Sequence, residues 1–117
     1  MMPDLIDFDS ATTEPTRSAP SQDRILAGDP RWRSWIHFAE GDMTGGEWES
    51  TPGRWTIAYD KWEFLRILSG RGVLRRDDGH AIALEPGTTD IIRPGFTGVW
   101  EVSETMRKHF LVRHREG

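Results

Sequence analysis

Short alternations of apolar and polar residues, separated by glycine and proline, run through the second half of the chain. In the segment 54–59, for example, Trp55, Ile57 and Tyr59 alternate with smaller or polar residues of the opposite parity. A period of two residues is typical of a β-strand with two different faces, and the intervening Gly and Pro residues are typical of turns. The pattern predicts strands over 54–59, 62–68, 71–76, 80–84, 89–93, 97–102 and 106–113.

The first half of the chain is less regular but contains no pattern of a major helix. We expect a short element over 25–30, a half-buried strand over 32–38, and a loop that contains Gly41, Gly45 and Gly46. Short strands that recur at such intervals are typical of a β-sandwich or β-barrel. A length of 117 residues suits one domain of this kind.

The N-terminal 23 residues differ in composition from the rest of the chain. They are acidic and rich in Pro, Ser and Thr, with Leu5, Ile6 and Phe8 as apolar exceptions. Such a composition buries too little apolar surface to order itself. We therefore interpret 1–23 as a flexible or partner-packing arm, and 24–117 as the barrel. Whether the apolar residues fray or cover a barrel face stays open.

Composition and charge exclude several classes of function. The chain has no cysteine, so neither disulfides nor thiolate ligands are available. Its net charge is -4 and it lacks a sustained basic face, which argues against nucleic-acid binding. No secretory leader and no apolar stretch long enough to span a membrane are visible, so we expect a cytoplasmic protein with no membrane partner.

Several short motifs together resemble those of cupins, a superfamily of small β-barrels. Glu63 is followed by Gly70 seven residues later, and Gly87 precedes Arg93-Pro94-Gly95 by the cupin spacing. The combination is most similar to the ureidoglycine aminohydrolase-like cupin subgroup. Its motifs match 28–30, 46–53, 63–70, 94–100 and 104–108. The resemblance implies an all-β, RmlC-like cupin jelly-roll β-barrel, with one domain and an extended N-terminal arm.

The same resemblance shows where this chain departs from a metal-binding cupin. The positions at which such cupins carry histidine are occupied by Ile57, Tyr59 and Gly98, and only Glu63 remains of the usual ligands. A metal site needs three or four convergent donors. We therefore expect no metal and no other cofactor in the barrel.

The resemblance places Glu63, our best candidate for a catalytic group, in the lumen together with positions 57, 59 and 98. Strand parity extends this set to the residues on the same side of each strand, so the predicted inward residues are Ile57, Tyr59, Glu63, Leu65, Ile67, Trp100 and Val102. A carboxylate in an apolar lumen needs a partner. The resemblance places an Arg-Lys pair at 107 and 108, of which only one can face the lumen. Lys108 is favoured because Phe110 and Val112 would then face inward as well; the alternative parity places His109 and Leu111 inside. The predicted ligand-binding residues are thus Tyr59, Glu63, Trp100 and Lys108.

These features favour a cupin that binds a small polar or nitrogenous metabolite in its lumen without the usual histidine metal site. Two alternatives follow from the resemblance: an enzyme of ureide or amide metabolism related to ureidoglycine aminohydrolase, and a non-catalytic accessory subunit. We also expect a homodimer, because Trp62, Phe64 and Leu68 would otherwise form an exposed apolar row on the outer face beside Arg66.

Overall fold

Nine β-strands and one turn of 3-10 helix make up the regular structure of the computed structural model, which describes residues 5–9 and 14–114. The 3-10 turn spans Gln22–Arg24. The strands are β1 (Thr16–Ser18), β2 (Ile25–Gly28), β3 (Trp32–Glu40), β4 (Met43–Ser50), β5 (Gly53–Ala58), β6 (Trp62–Arg76), β7 (Ala81–Leu84), β8 (Thr89–Ile92) and β9 (Thr97–Arg113). No helix within the described residues is long and apolar enough to cross a membrane.

Two long strands, β6 and β9, connect the two layers of the barrel. The first half of β6 pairs with the second half of β9 and with β8, and this layer continues through β4 and β3 to β1. The second half of β6 pairs with the first half of β9 and with β7, and this layer continues through β5 to β2. All pairings are antiparallel, so the fold is the all-β jelly roll that the sequence predicts.

The core lies between these two layers and follows the predicted strand parity. Along β6 the burial alternates strictly from Trp62 to Leu68, with Glu63, Leu65 and Ile67 inside. The buried apolar residues are Trp55, Ile57, Leu65, Ile67, Leu74, Leu84, Ile92, Trp100, Val102, Met106 and Val112. The predicted pairs of strands 62–68 with 71–76, and 97–102 with 106–113, each form one continuous strand. Register shifts between 67 and 72 bend the β6–β9 pair instead of ending it.

The predicted loop around Gly45 and Gly46 is wrong. Both residues lie inside β4, which pairs with β3 on one side and β9 on the other. A Cβ atom at Gly46 would collide with the Trp35 carbonyl oxygen of β3. Glycine is therefore present because the neighbouring backbone comes too close for a side chain, and not because the chain turns.

The described part of the N-terminal arm contacts the barrel at two places. β1 adds an edge strand to β3, with Thr16 opposite Ser34. The Phe8 ring packs against His37 and His109, with ring centroids 5.0 and 5.4 Å away. Leu5 is exposed, and residues 1–4 and 10–13 lie outside the described residues. Phe8 thus covers a part of the outer barrel face in a single chain.

Candidate functional site

A pocket of about 330 Å³ opens between the two layers of the barrel. Strands β3, β4, β5, β6 and β9 supply its walls, and the loop between β5 and β6 lies at its rim. The lining residues are Arg24, Trp32, Ser34, Trp48, Trp55, Ile57, Ala58, Tyr59, Asp60, Lys61, Glu63, Trp100, Lys108, Phe110 and Val112. The volume lies at the lower end of the usual range for small-molecule sites, roughly 300–1,000 Å³.

A buried ion pair occupies this pocket. The Lys108 Nζ atom donates to Glu63 Oε2 at 2.5 Å, and each residue is only 5% exposed. Lys108 lies opposite Ile67 in the β6–β9 register, and Glu63 lies four residues before Ile67 on the same face of β6. The Lys108 side chain therefore reaches along the lumen to the Glu63 carboxylate. Burying either charge alone would be costly, and pairing them is what makes both tolerable in an apolar lumen.

Tyr59 completes the polar group. Its hydroxyl donates to Glu63 Oε1 at 2.9 Å, so the two carboxylate oxygens have separate partners. Burial raises the pKa of Tyr59 well above its ordinary value, and the charge and hydrogen bond of Glu63 raise the pKa further, while Arg24 opposes the rise. Tyr59 is therefore a neutral hydrogen-bond donor at physiological pH.

Four indole rings form an aromatic wall around these polar groups. Trp48 is central, with its ring centroid 6.1, 6.2 and 5.7 Å from those of Trp32, Trp55 and Trp100. The Lys108 ammonium lies 4.6 Å from the Trp48 centroid and 4.4 Å from that of Trp100. Such cation–π contacts strengthen when they are shielded from water. The four indoles therefore do two things: they form the apolar lining of the pocket, and they stabilise the charge of Lys108.

The structure brings the four predicted ligand-binding residues together in this one pocket: Tyr59, Glu63, Trp100 and Lys108. It also decides between the two parities of the last strand. Lys108 points inward, as favoured, whereas His109 lies on the outer face beside Phe8 and Glu47. The ligand-binding roles themselves stay predictions.

The positions at which metal-binding cupins carry their ligands do not fit a metal ion in this chain. Ile57 is part of the apolar core, and Tyr59 and Glu63 already bond to each other. A Cβ atom at Gly98 would collide with the Arg75 carbonyl oxygen, so the backbone leaves no room there for a ligating side chain. No group of three or more His, Cys, Asp or Glu residues suited to a metal exists among the residues described. We derive no chemistry through a metal at this site.

Sequence reasoning missed several residues of the pocket. Trp48 comes from β4, which pairs with β9, and Trp32 comes from β3, which pairs with β4; no local motif reveals either pairing. Arg24 reaches the pocket from the 3-10 turn, where it donates from Nε and Nη2 to the Thr56 carbonyl oxygen. Its position is decided entirely by a contact between residues 32 positions apart in the chain.

The raised pKa of Tyr59 predicts a delayed alkaline titration. Tyr59 is the single tyrosine of the chain, so the phenolate absorbance reports this residue alone. Since its folded pKa is raised, the stabilisation is intact below the unfolded pKa of about 10 and is lost as pH rises through the folded pKa. We expect native protein to form phenolate at a higher pH than urea-unfolded protein, with circular dichroism confirming that the fold persists. Identical titration curves would contradict the described geometry.

Comparisons with known proteins agree with this fold. The family of EutQ-like cupin domains matches residues 37–110. A protein of unknown function from Pseudomonas syringae pv. tomato has a similar structure, with a TM-score of 0.80 and 23% identity. That match covers 88% of this chain and 46% of the Pseudomonas chain, so the present chain spans about half its length.

Two further structures have a similar fold at lower identity. A putative ethanolamine utilization protein from Salmonella typhimurium has a TM-score of 0.65 at 11% identity, over 90% of this chain and 99% of its own. Ectoine synthase from P. lautus has a TM-score of 0.63 at 14% identity, over 70% and 63%. No curated protein sequence gave a match. The family match spans well over half of the chain, which therefore belongs to the EutQ-like cupin domains.

Proposed function

We propose that this cupin domain binds a small polar or nitrogenous metabolite in the pocket around Glu63. The observation that carries the proposal is the buried Glu63–Lys108 pair inside a pocket with room for a ligand. A purely structural core would be more economically built from apolar residues, because buried ion pairs contribute little net stability. A pocket with an apolar wall and a few convergent polar groups is the usual form of a small-molecule site.

The polar groups suit a ligand that carries N–H donors. Glu63 accepts from Lys108 and Tyr59, and a carboxylate has further lone pairs to accept from an amide or amine. The four indoles supply flat apolar surface for the rest of the molecule. Two of the similar structures are named for ethanolamine and for ectoine, both small nitrogen-containing compounds, which supports the same class.

Tryptophan fluorescence tests the proposal directly, since four of the six tryptophans line the pocket. We expect small amides and ureides, with N-carbamoylglycinamide as the first probe, to produce a saturable change. Tyr59→Phe removes one hydroxyl and should weaken binding about 2- to 10-fold, the usual worth of one neutral hydrogen bond. Trp62→Phe, on the outer face, is the control and should leave affinity unchanged. Absence of any saturable change with every amide and ureide would refute the proposal.

An enzyme related to ureidoglycine aminohydrolase is the second candidate function. Its supporting observation is the Tyr59–Glu63–Lys108 chain of hydrogen bonds, which can hold and move protons inside a shielded pocket. The described residues offer no group that fits a metal, which weighs against that particular activity. Release of ammonia from ureides, measured with wild type and Glu63→Gln, distinguishes an enzyme from a binding protein or an accessory subunit.

We also propose that two copies associate through the outer face of β6 and β8. Trp62 and Phe64 are each 43% exposed, Leu68 is 36% exposed and Ile91 is 60% exposed. Phe64 lies directly between Ile91 and Leu111 in the sheet register, so these apolar side chains are contiguous. A contiguous apolar face of this kind is typical of a subunit interface, and a two-fold axis lets the same face cover itself.

Replacement of Phe64 and Ile91 by Glu should therefore separate the two copies. In a dimer the two new carboxylates of each copy would be buried without a positive partner. We therefore expect the double variant to sediment as a monomer at micromolar concentration. Leu26→Glu is the matched control, because Leu26 is 50% exposed on a different strand, β2. A wild-type protein that is itself monomeric at that concentration would rule out the dimer.

A further inference from the structure

Arg24 is a partly buried cation in the pocket, and among the described residues only one edge of its guanidinium has a hydrogen-bond partner. Its Nε and Nη2 atoms donate to the Thr56 carbonyl oxygen at 3.0 and 2.7 Å, so that edge is held by the backbone of β5. Within residues 5–9 and 14–114, no carboxylate lies within ion-pair distance of Arg24 and no acceptor bonds to its Nη1 atom. The other edge of the guanidinium, formed by Nη1 and Nη2, has hydrogens to donate.

The charges that line the pocket do not cancel. Arg24, Lys61 and Lys108 are cations, and Asp60 and Glu63 are carboxylates, which leaves one positive charge in excess. Lys108 and Glu63 neutralise each other through direct contact, whereas Lys61 and the exposed Asp60 lie at the rim, where solvent screens their charges. The excess is therefore assigned to Arg24. In a pocket with apolar walls such a charge attracts an anion more strongly than it would in open solvent.

We propose that the metabolite bound in this pocket carries a carboxylate, which the free edge of Arg24 binds with two parallel hydrogen bonds. The inference rests on the proposed function and specifies its ligand class. The carboxylate would lie at Arg24, the N–H group would lie toward Glu63 and Tyr59, and the body between them would contact the indoles. A planar guanidinium fork matches the geometry of a carboxylate.

The charge balance favours a carboxylate over a phosphate. One bound carboxylate brings the pocket to neutrality, whereas a phosphate monoester, which carries about two negative charges at neutral pH, would leave an excess negative charge beside Glu63. Because Thr56 already fixes the guanidinium, little side-chain entropy is lost when the ligand binds. Arg24 would thus act as a specificity-determining residue that selects carboxylates from other polar metabolites.

The test compares N-carbamoylglycine with N-carbamoylglycinamide, which differ only in the carboxylate and its neutral amide. Affinities are measured by tryptophan fluorescence on wild type, Arg24→Gln, Arg24→Lys and Lys61→Gln. We expect wild type to prefer the acid by about 10- to 100-fold, the range for hydrogen bonds to a charged group. Arg24→Gln should remove that preference, chiefly by weakening binding of the acid. Arg24→Lys should restore only a part, since an ammonium lacks the fork.

The possible outcomes separate the carboxylate inference from the proposed function. Equal affinity of wild type for acid and amide overturns the carboxylate inference and leaves the proposed pocket function standing. If Lys61→Gln loses the preference for the acid and Arg24→Gln keeps it, the carboxylate is selected by Lys61 at the rim. That result likewise overturns the carboxylate inference. If neither compound binds to wild type, the carboxylate inference falls, and if the wider series of amides and ureides also fails, the proposed function falls with it. Thermal melts of each variant separate loss of binding from loss of fold.

Discussion

Lys108→Met is expected to destabilise the protein by about 3–5 kcal/mol, the cost of leaving one member of a buried ion pair without its partner. Methionine has a similar length and packs between Trp48 and Trp100, so little apolar contact is lost. What the variant removes is the ammonium that donates to Glu63 Oε2. The Glu63 carboxylate, 5% exposed, would retain Tyr59 as its described side-chain partner. Urea unfolding followed by circular dichroism at fixed protein concentration measures the loss.

Two variants serve as controls for this prediction. The double variant Lys108→Met with Glu63→Gln removes both charges, and we expect it to regain most of the lost stability, because a neutral amide oxygen still accepts from Tyr59. Lys61→Met removes a cation at the pocket rim and should change the free energy of unfolding by less than about 0.5 kcal/mol. A Lys108→Met protein as stable as wild type would show that water in the pocket hydrates Glu63 sufficiently.

Gly98→Ala is expected to cost at least about 3 kcal/mol, the upper end of the range for overpacking a filled interior. Gly98 lies in β9 between β5 and β6, opposite Ile57 on one side and Arg76 on the other. The added methyl group would collide with the Arg75 carbonyl oxygen, which is backbone and cannot rotate away as a side chain would. The β6–β9 pair must open locally to accept it, and thermal melting should show the loss directly.

The control for Gly98→Ala is a glycine with open space around it in the described part of the chain. Gly41 has a φ of +56°, and no atom of the described residues lies within 4 Å of the position that a Cβ atom would take there. Asparagine tolerates this left-handed backbone, so Gly41→Asn should melt close to wild type. If Gly98→Ala also melts close to wild type, the backbone around Gly98 is looser than the contact with Arg75 implies.

The local patterns were sufficient to predict the strands of the second half of the chain and the residues they bury. Leu65, Ile67, Trp100 and Val102 are buried because alternation along a strand is a local property that any pairing partner preserves. The same argument favoured Lys108, because Phe110 and Val112 share its parity, and the structure decided against His109. The ureidoglycine aminohydrolase-like subgroup, by contrast, goes beyond the cupin family that the comparisons support, and it remains part of the proposal.

Prediction from the sequence failed where a residue type is required by contact with a neighbouring strand and not by the conformation of its own strand. Gly45 and Gly46 suggest a loop when they are considered alone, yet Gly46 is required by the approach of the Trp35 carbonyl oxygen from the next strand. The divisions predicted within β6 and β9 failed for a related reason. Both strands pass from one layer to the other through bulges, and the pairing across them, which involves residues far apart in sequence, keeps each strand continuous.

Period-two alternation along the chain was enough to predict an all-β protein, because alternation is a local property of each strand. The resemblance to cupins supplied the barrel, the inward position of Glu63 and the positions where metal-binding cupins carry histidine. The partners of that carboxylate depend on the tertiary structure instead. Lys108 meets Glu63 across 45 positions of sequence, and Arg24 is held to Thr56 across 32. Contacts over such distances depend on the register and bend of paired strands, which arise from the packing of the whole barrel and from no single segment.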